Sequence, residues 1–360
     1  DGKVYVVHGQ GTLYLTELNS DVKSVKGKPV KIWQGGFKNA HELGGGFGME
    51  GSHMYRINGK YYITCPAGGT GGRQICLRSD NIYGPYEHKL IMNDWSSYPK
   101  NGLHQGGMVQ LKNGDWWFMI MQDRGPIGRV PCLVPVKWID GWPMLGDEGK
   151  DLITYPKPAT GKKSKIKSPA TTDEFNASQL GLQWQWNHNP DNSRWSLKER
   201  KGYMRLYASQ ASTLKDARNT LTQRVQGPSC EGSVEMEVTG LKDGNIAGFG
   251  IFEFPYAYVA IRQESGRRKI VMCNDGKDIE TVEHFNGDKL WIRVRATDKE
   301  FKALFYYSLD GVNYKRIGNE LQMGLGLPWT ANRFALFNFN TTPQGNNGYA
   351  DFNWFRFTNK

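Results

Sequence analysis

Apolar and polar residues alternate along most of this chain in short runs broken by Gly, Asn, Asp and Pro. The clearest case is Trp291-Ile292-Arg293-Val294-Arg295-Ala296, which predicts a half-buried strand with apolar side chains inward and arginines outward. No segment sustains a helical period over about 12 residues. The pattern therefore predicts an all-β protein. Three segments repeat: Asp1-Gly2-Lys3-Val4-Tyr5-Val6-Val7, Asn58-Gly59-Lys60-Tyr61-Tyr62-Ile63-Thr64 and Asn113-Gly114-Asp115-Trp116-Trp117-Phe118-Met119. In each, an Asx-Gly pair leads into an aromatic and β-branched strand. Asx-Gly supplies the positive φ angles of a type I′ hairpin. The repeats begin 57 and 55 residues apart. The later two follow apolar strand material at 53–57 and 108–111, and residues 74–79, 86–91 and 133–138 supply further strands. A period of about 50 residues with several strands per unit predicts propeller blades. Three blades do not close a ring, since propellers typically have at least about four. The chain also opens inside a hairpin turn. Further blades upstream, or another closing device, are expected.

At 156–172 the composition shifts to Lys, Pro, Gly, Ser and Thr, which predicts a linker. From 173 to 360 short strands recur, at 200–206, 232–238, 248–254, 258–262, 269–274, 290–296, 302–308, 333–338 and 349–358. This spacing predicts a β-sandwich of jelly-roll type. Within it, Ser308-Leu309-Asp310-Gly311-Val312-Asn313-Tyr314 reads as a structural hairpin turn. The organisation expected is a partial propeller at 1–155, a linker at 156–172 and a sandwich at 173–360.

Bulk properties narrow the function. A length of 360 residues favours two domains. The load of 12 Trp and 17 Tyr argues against disorder. No apolar run approaches the roughly 18 residues of a membrane helix, and no signal-peptide pattern occurs. The net charge of +11 raises the question of nucleic acid. The basic residues are scattered, however, and the one dense run (Lys157, Lys162, Lys163, Lys165, Lys167) falls in the linker. It reads as a solvated segment, with attraction to an acidic polymer as the alternative. No element interleaves clustered Lys/Arg with aromatics, so a nucleic-acid binder is not expected. Five cysteines, without CxxC or metal spacing, cannot all pair within one chain. Buried free thiols are the default, and Cys65 with Cys76 is the candidate disulfide if the compartment is oxidising.

The candidate chemistry begins at Glu50. It follows Gly44, Gly45, Gly46 and Gly48, and it precedes Gly51-Ser52-His53-Met54-Tyr55 and the second repeat. A carboxyl among apolar neighbours holds its proton to higher pH, as a general acid requires; a turn or surface carboxylate is the alternative. His104, in Gly102-Leu103-His104-Gln105-Gly106-Gly107-Met108, holds the equivalent place in the third repeat. It is a candidate to meet Glu50 as hydrogen-bond partner, substrate contact or metal ligand; the alternative is a histidine that satisfies turn backbone. In Gln122-Asp123-Arg124-Gly125-Pro126-Ile127-Gly128-Arg129, Arg124 or Arg129 is placed to hold a sugar hydroxyl or tune a carboxylate. Trp138-Ile139-Asp140-Gly141-Trp142-Pro143 offers two indoles, for core packing or as a sugar platform. The sequence contains no GxSxG, HExxH, Walker loop or post-strand GxGxxG motif.

Several of these motifs together resemble glycoside hydrolase family 43. They are Glu50-Gly51-Ser52-His53-Met54-Tyr55, Ala67-Gly68-Gly69-Thr70, Gly84-Pro85-Tyr86-Glu87, His104-Gln105-Gly106-Gly107, Gly128-Arg129 and residues 138–143. Leu180-Gly181-Leu182-Gln183-Trp184-Gln185-Trp186-Asn187-His188-Asn189-Pro190 and Asn219-Thr220-Leu221-Thr222-Gln223-Arg224 resemble the concanavalin-A-like C-terminal domain of its β-xylosidase branch. The resemblance implies a five-bladed propeller and exo-acting, inverting hydrolysis of xylosides or α-L-arabinofuranosides of hemicellulose. It places the general acid on Glu50, with Ser52 where the family has Pro. It places the substrate-contacting arginine on Arg129, and the central histidine, near a metal or water cluster, on His104. No cofactor is implied beyond a structural Ca2+, and an extracellular or periplasmic setting is expected. The family's general-base Asp and pKa-tuning Asp have no matching position. An inverting mechanism needs a base opposite its acid, so this chain is expected to be an incomplete hydrolase unless a second polypeptide carries the missing blades. The alternative is a non-catalytic carbohydrate-binding protein.

Overall fold

The computed structural model describes residues 2–34, 48–67, 72–93, 102–150, 154–159, 161, 165, 167–324, 330–343 and 346–359. Gly44–46, Gly68, Gly69, Thr70, Lys162 and Lys163, singled out above, lie outside the described residues. The chain forms two compact units. One comprises Asp1–Arg124 with Arg129–Ser164, and the other Gly125–Gly128 with Lys165–Lys360. The second unit thus begins inside the stretch expected as linker and also takes in four residues from far upstream. Among the described residues, helix is confined to the short 3-10 turn Gly125–Ile127. None is long and apolar enough to cross a membrane.

The first unit contains three antiparallel meanders in succession. The first is β1 (Val4–Gln10), β2 (Thr12–Leu18) and β3 (Val30–Gln34); the second is β4 (His53–Ile57), β5 (Lys60–Pro66), β6 (Arg73–Ser79) and β7 (Glu87–Asn93). The third is β8 (His104–Gln110), β9 (Trp116–Asp123), β10 (Arg129–Ile139) and β11 (Trp142–Leu145). Each of the three Asx-Gly segments feeds a strand. Asn58 and Gly59 take φ of 49° and 84° and join Ile57 directly to its partner Lys60, as a type I′ turn requires. The third repeat departs from that expectation: only Gly114 of its pair has positive φ, and the turn is longer. There the Asn113 carboxamide accepts the Asp115 N–H at 3.1 Å, so the side chain supplies an Asx turn in place of a second left-handed residue.

The β4–β7 sheet is buried on both faces. Ile63, Cys65, Ile75 and Leu77 join Leu13 and Leu15 in one cluster, while Tyr62, Cys76 and Ile91 join Phe118, Ile120 and Val134 in another. Burial of each such side chain is worth about 1.5–3 kcal/mol. The same register answers the disulfide question. Cys76 pairs with Thr64 and Cys65 with Ile75, so the two thiols belong to opposite faces and different clusters. All five cysteines are free, and burial pushes the Cys65 and Cys76 thiols well above their ordinary range.

The second unit is a sandwich of two eight-stranded sheets. One runs through Arg333–Asn340, Asn245–Phe252, Ala257–Glu264, Arg267–Asn274 and Lys277–Val282 in that order. The other runs through Met204–Tyr207, Tyr349–Asn359, Ser229–Glu237, Lys289–Thr297 and Lys302–Ser308. Phe249, Val259 and Phe334 of the first sheet pack against Val234, Ile292 and Phe352 of the second. The predicted alternation holds: Leu290, Ile292, Val294 and Ala296 are buried. Arg293 and Arg295 point outward to Glu231, at 3.4 and 2.6 Å. The Ser308–Tyr314 turn is structural, as read: Asp310 accepts the N–H groups of Val312 and Asn313.

Candidate active site

Glu50 is set by a constrained turn. Met49 and Gly51 on either side take φ of 72° and 69°. Met49 donates its N–H to the Pro66 carbonyl at 2.8 Å and buries its side chain beside Cys65. Ser52 closes the turn, its hydroxyl donating to the Met49 carbonyl at 2.7 Å. In that setting Oε2 of Glu50 is buried and has no hydrogen-bond partner among the described residues. A buried polar atom without a partner costs about 1–3 kcal/mol. Such an atom is a mark of function when the rest of the turn is satisfied.

Gly51 ties this turn to β8. A Cβ there would lie 2.5 Å from the Gln105 Nε2, so Gly51 provides the space Gln105 occupies. Gln105 is itself unusual: its φ is 57°, and the β8–β9 register shifts between His104 and Gly106. This is a β-bulge, which re-aims the side chains around it. Counted from the Gly106–Ile120 pair in a regular strand, His104 would fall opposite Gln122. The bulge sets it opposite Met121, on the face of β9 that also carries Asp123.

There His104 meets Asp123. The imidazole Nε2 lies 3.1 Å from Oδ2, and both side chains are buried. Arg129, directly opposite Asp123 in the β9–β10 hairpin, donates from Nε to Oδ1 at 3.1 Å. Burial alone would lift the Asp123 carboxyl, but the His104 bond and charge, then those of Arg129, outweigh it, and the carboxyl sits below its ordinary range. Two of the three residues named for the site, His104 and Arg129, thus converge on a fourth, Asp123, that sequence reading passed over. Asp123 lay within a quoted segment without a role. The available signal was its spacing from Arg129, which a tight hairpin turns into a direct cross-strand pair.

The remaining candidates resolve toward structure. Arg124 donates to Gln122 at 2.8 Å. Trp138 packs edge-on against Tyr62 and Trp116. Trp142 is covered by the Arg78 guanidinium, 4.1 Å from the ring centroid, and Arg78 also donates to the Asp140 and Gly141 carbonyls. The sugar-platform reading of these indoles is not what the packing supports. For a metal at His104, both Asp123 oxygens already accept hydrogen bonds and the adjacent guanidinium repels a cation. No group of three or more His, Cys, Asp or Glu side chains is arranged to hold an ion among the described residues. Among the described residues, the donors around His104 do not assemble a metal site.

Comparison with known proteins decides the family. Residues 1–143 match the model of glycosyl hydrolases family 43, and residues 172–358 match the β-xylosidase C-terminal concanavalin A-like domain. This chain belongs to glycosyl hydrolase family 43. A β-xylosidase of Formosa agariphila is 32% identical over 87% of this chain and 60% of its own length. A non-reducing end α-L-arabinofuranosidase of Bacteroides ovatus is 27% identical over 99% of this chain and 70% of its own. Among solved structures, a bifunctional family 43 protein of Bacteroides eggerthii superposes with a TM-score of 0.85 at 37% identity, covering all of this chain and 47% of the other. The chain therefore spans about 60% of the β-xylosidase it matches. Its relatives in family 43 include both xylosidases and arabinofuranosidases.

Proposed function

We propose that this chain carries the general-acid half of an inverting, exo-acting glycosidase for xylosides or α-L-arabinofuranosides. In this reading its three meanders are blades of a five-bladed propeller. The observation that carries it is the Glu50 carboxyl, whose Oε2 is buried with no hydrogen-bond partner among the described residues, in the Glu50-Gly51-Ser52-His53 stretch whose resemblance to the family suggests the acid. Such an oxygen is available to hand a proton to the glycosidic oxygen as the bond breaks. Arg129, whose side chain is 31% exposed, extends the Asp123 pair toward solvent and is assigned to a substrate hydroxyl. His104, fully buried, acts through Asp123 by holding the carboxylate that orients Arg129. The base that activates water has no counterpart in this sequence. Hydrolysis is accordingly proposed for the chain together with a polypeptide that bears that Asp. The substrate is a hemicellulose-derived oligosaccharide, met outside the cytoplasm.

The test is Glu50→Gln in that complete assembly. Turnover of xylo-oligosaccharides should fall by about 100- to 10,000-fold, the range for loss of a general acid. Aryl glycosides, whose leaving groups need little protonation, should lose much less. Equal losses on both would overturn the assignment of Glu50. Parallel assays with aryl xyloside and aryl arabinofuranoside separate the two substrate classes.

A further inference from the structure

The second unit holds a cavity that the hydrolytic site does not use. It lies on the outer face of the sheet containing Ala257–Glu264, under the segment that carries Ser212 and Thr213. Its volume is about 190 Å³. That is below the roughly 300–1,000 Å³ of pockets for drug-sized ligands and on the scale of one sugar ring.

Its lining is mixed in a particular way. On one side Tyr256 and Tyr258 stack, with ring centroids 6.1 Å apart and planes within 7°. Further along the same strand as Tyr258, Arg262 reaches over the sheet to a bidentate pair with Asp278, at 2.6 and 2.9 Å. Glu264, Thr341 and the two hydroxyls of Ser212 and Thr213 complete the polar surface. Both hydroxyls donate to Asp216, at 3.1 and 3.0 Å, which leaves their lone pairs as acceptors. Arg262 is not fully served. Its Nε is buried and has no hydrogen-bond partner among the described residues, with a Glu264 carboxylate oxygen 3.9 Å away. A ligand oxygen between them would satisfy both.

This chemistry excludes as well as selects. Two carboxylates beside a single guanidinium that is already paired make a poor anion site. Lys269 balances Glu264 at 3.0 Å, so a cation finds no surplus of negative charge. The polar lining is equally wrong for an apolar ligand, which would strand its hydrogen-bonding groups. What remains is a neutral molecule with several hydroxyls and one apolar face. We propose that this cavity is a second carbohydrate site, taking a single neutral sugar residue of an oligosaccharide and separate from the Glu50 site.

The experiment titrates the full chain with xylotetraose, followed by NMR line broadening of the sugar, in the parent and two variants. Arg262→Gln, which removes the donor that lacks a partner, should weaken binding at least tenfold. Ser212→Trp, made at an exposed position, should plug the mouth and have a similar effect without touching the core. Melting curves identify any variant that fails to fold. Absence of binding to the parent would overturn the proposal, as would parent-like binding by both cavity variants. Neither result bears on hydrolysis, because Glu50→Gln tests that reading separately.

Discussion

Asp123 in the first unit and Glu253 in the second are each 1% exposed, yet their carboxyls are shifted in opposite directions. Asp123 has His104 and Arg129 at hydrogen-bonding distance, and its carboxyl lies below the ordinary range. Glu253 has a neutral partner, the Thr330 hydroxyl, and its cation, Arg333, stands back at 3.6 Å; desolvation wins and its carboxyl is raised. Equal burial with a different distance to a cation shifts the two carboxyls in opposite directions. The first unit adds a third case, Glu50, with one buried oxygen and no partner for it. The pair at Asp123 favours the ionised carboxylate, while the buried Glu50 oxygen has no hydrogen bond to hold it among the described residues.

The sharpest test of that contrast is activity. Glu50→Gln should abolish most turnover of unactivated substrate, by the 100- to 10,000-fold given above, with little cost in stability because no internal hydrogen bond to Oε2 is lost. Asp123→Asn should do the reverse to stability. It leaves His104 and Arg129 facing a neutral amide, and breaking such a pair from one side costs about 3 kcal/mol, read from the urea midpoint at constant m-value. A parent-like midpoint would remove the triad from the account. Gly107→Ala should cost about 1–3 kcal/mol. Its Cβ would sit 2.7 Å from the Tyr55 hydroxyl, which accepts the Met108 N–H and holds β4 to β8. Thermal melting measures it, and a neutral result would mean that β8 shifts freely.

The smallest expected effect lies in the pH dependence. Asp123, with its folded pKa depressed, contributes stability that is fully present above the unfolded value of about 3.9 and is lost as pH falls through the folded one. Glu253 is raised. Its contribution is a penalty, absent below the unfolded value of about 4.3 and growing as pH rises toward the folded one. Stability curves of Asp123→Asn and Glu253→Gln against pH should therefore differ from the parent in opposite senses. Slopes of the same sign would show that burial, not the cation, sets both groups.

Much of this architecture was legible because strands and turns are local. The Asx-Gly repeats located the meanders, and alternation at 290–296 predicted which side chains enter the sandwich core. What escaped was set by register. Cys65 and Cys76 looked like a pair until the β5–β6 alignment put them on opposite faces. Asp123 carried no motif of its own, and its role comes from a hairpin that sets it against Arg129. Gly125–Gly128 falls within the 1–155 expected as propeller but groups with the second unit, where the Ile127 carbonyl accepts from Arg224 at 2.9 Å. No local pattern encodes a partner 97 residues away. His104 was expected to meet Glu50; it pairs with Asp123 instead, and the two positions approach through their neighbours Gln105 and Gly51.

The bulge at Gln105 also makes chain length a variable of its own. Because Gln105 is the extra residue, its removal would leave His104 opposite Met121 and Gly106 opposite Ile120. The His104–Asp123 pair would keep its place, while the side chain that fills the space beside Gly51 would be gone. A single-codon deletion can therefore uncouple the Glu50 turn from the ion-paired triad, a separation that no exchange of one side chain for another achieves so cleanly.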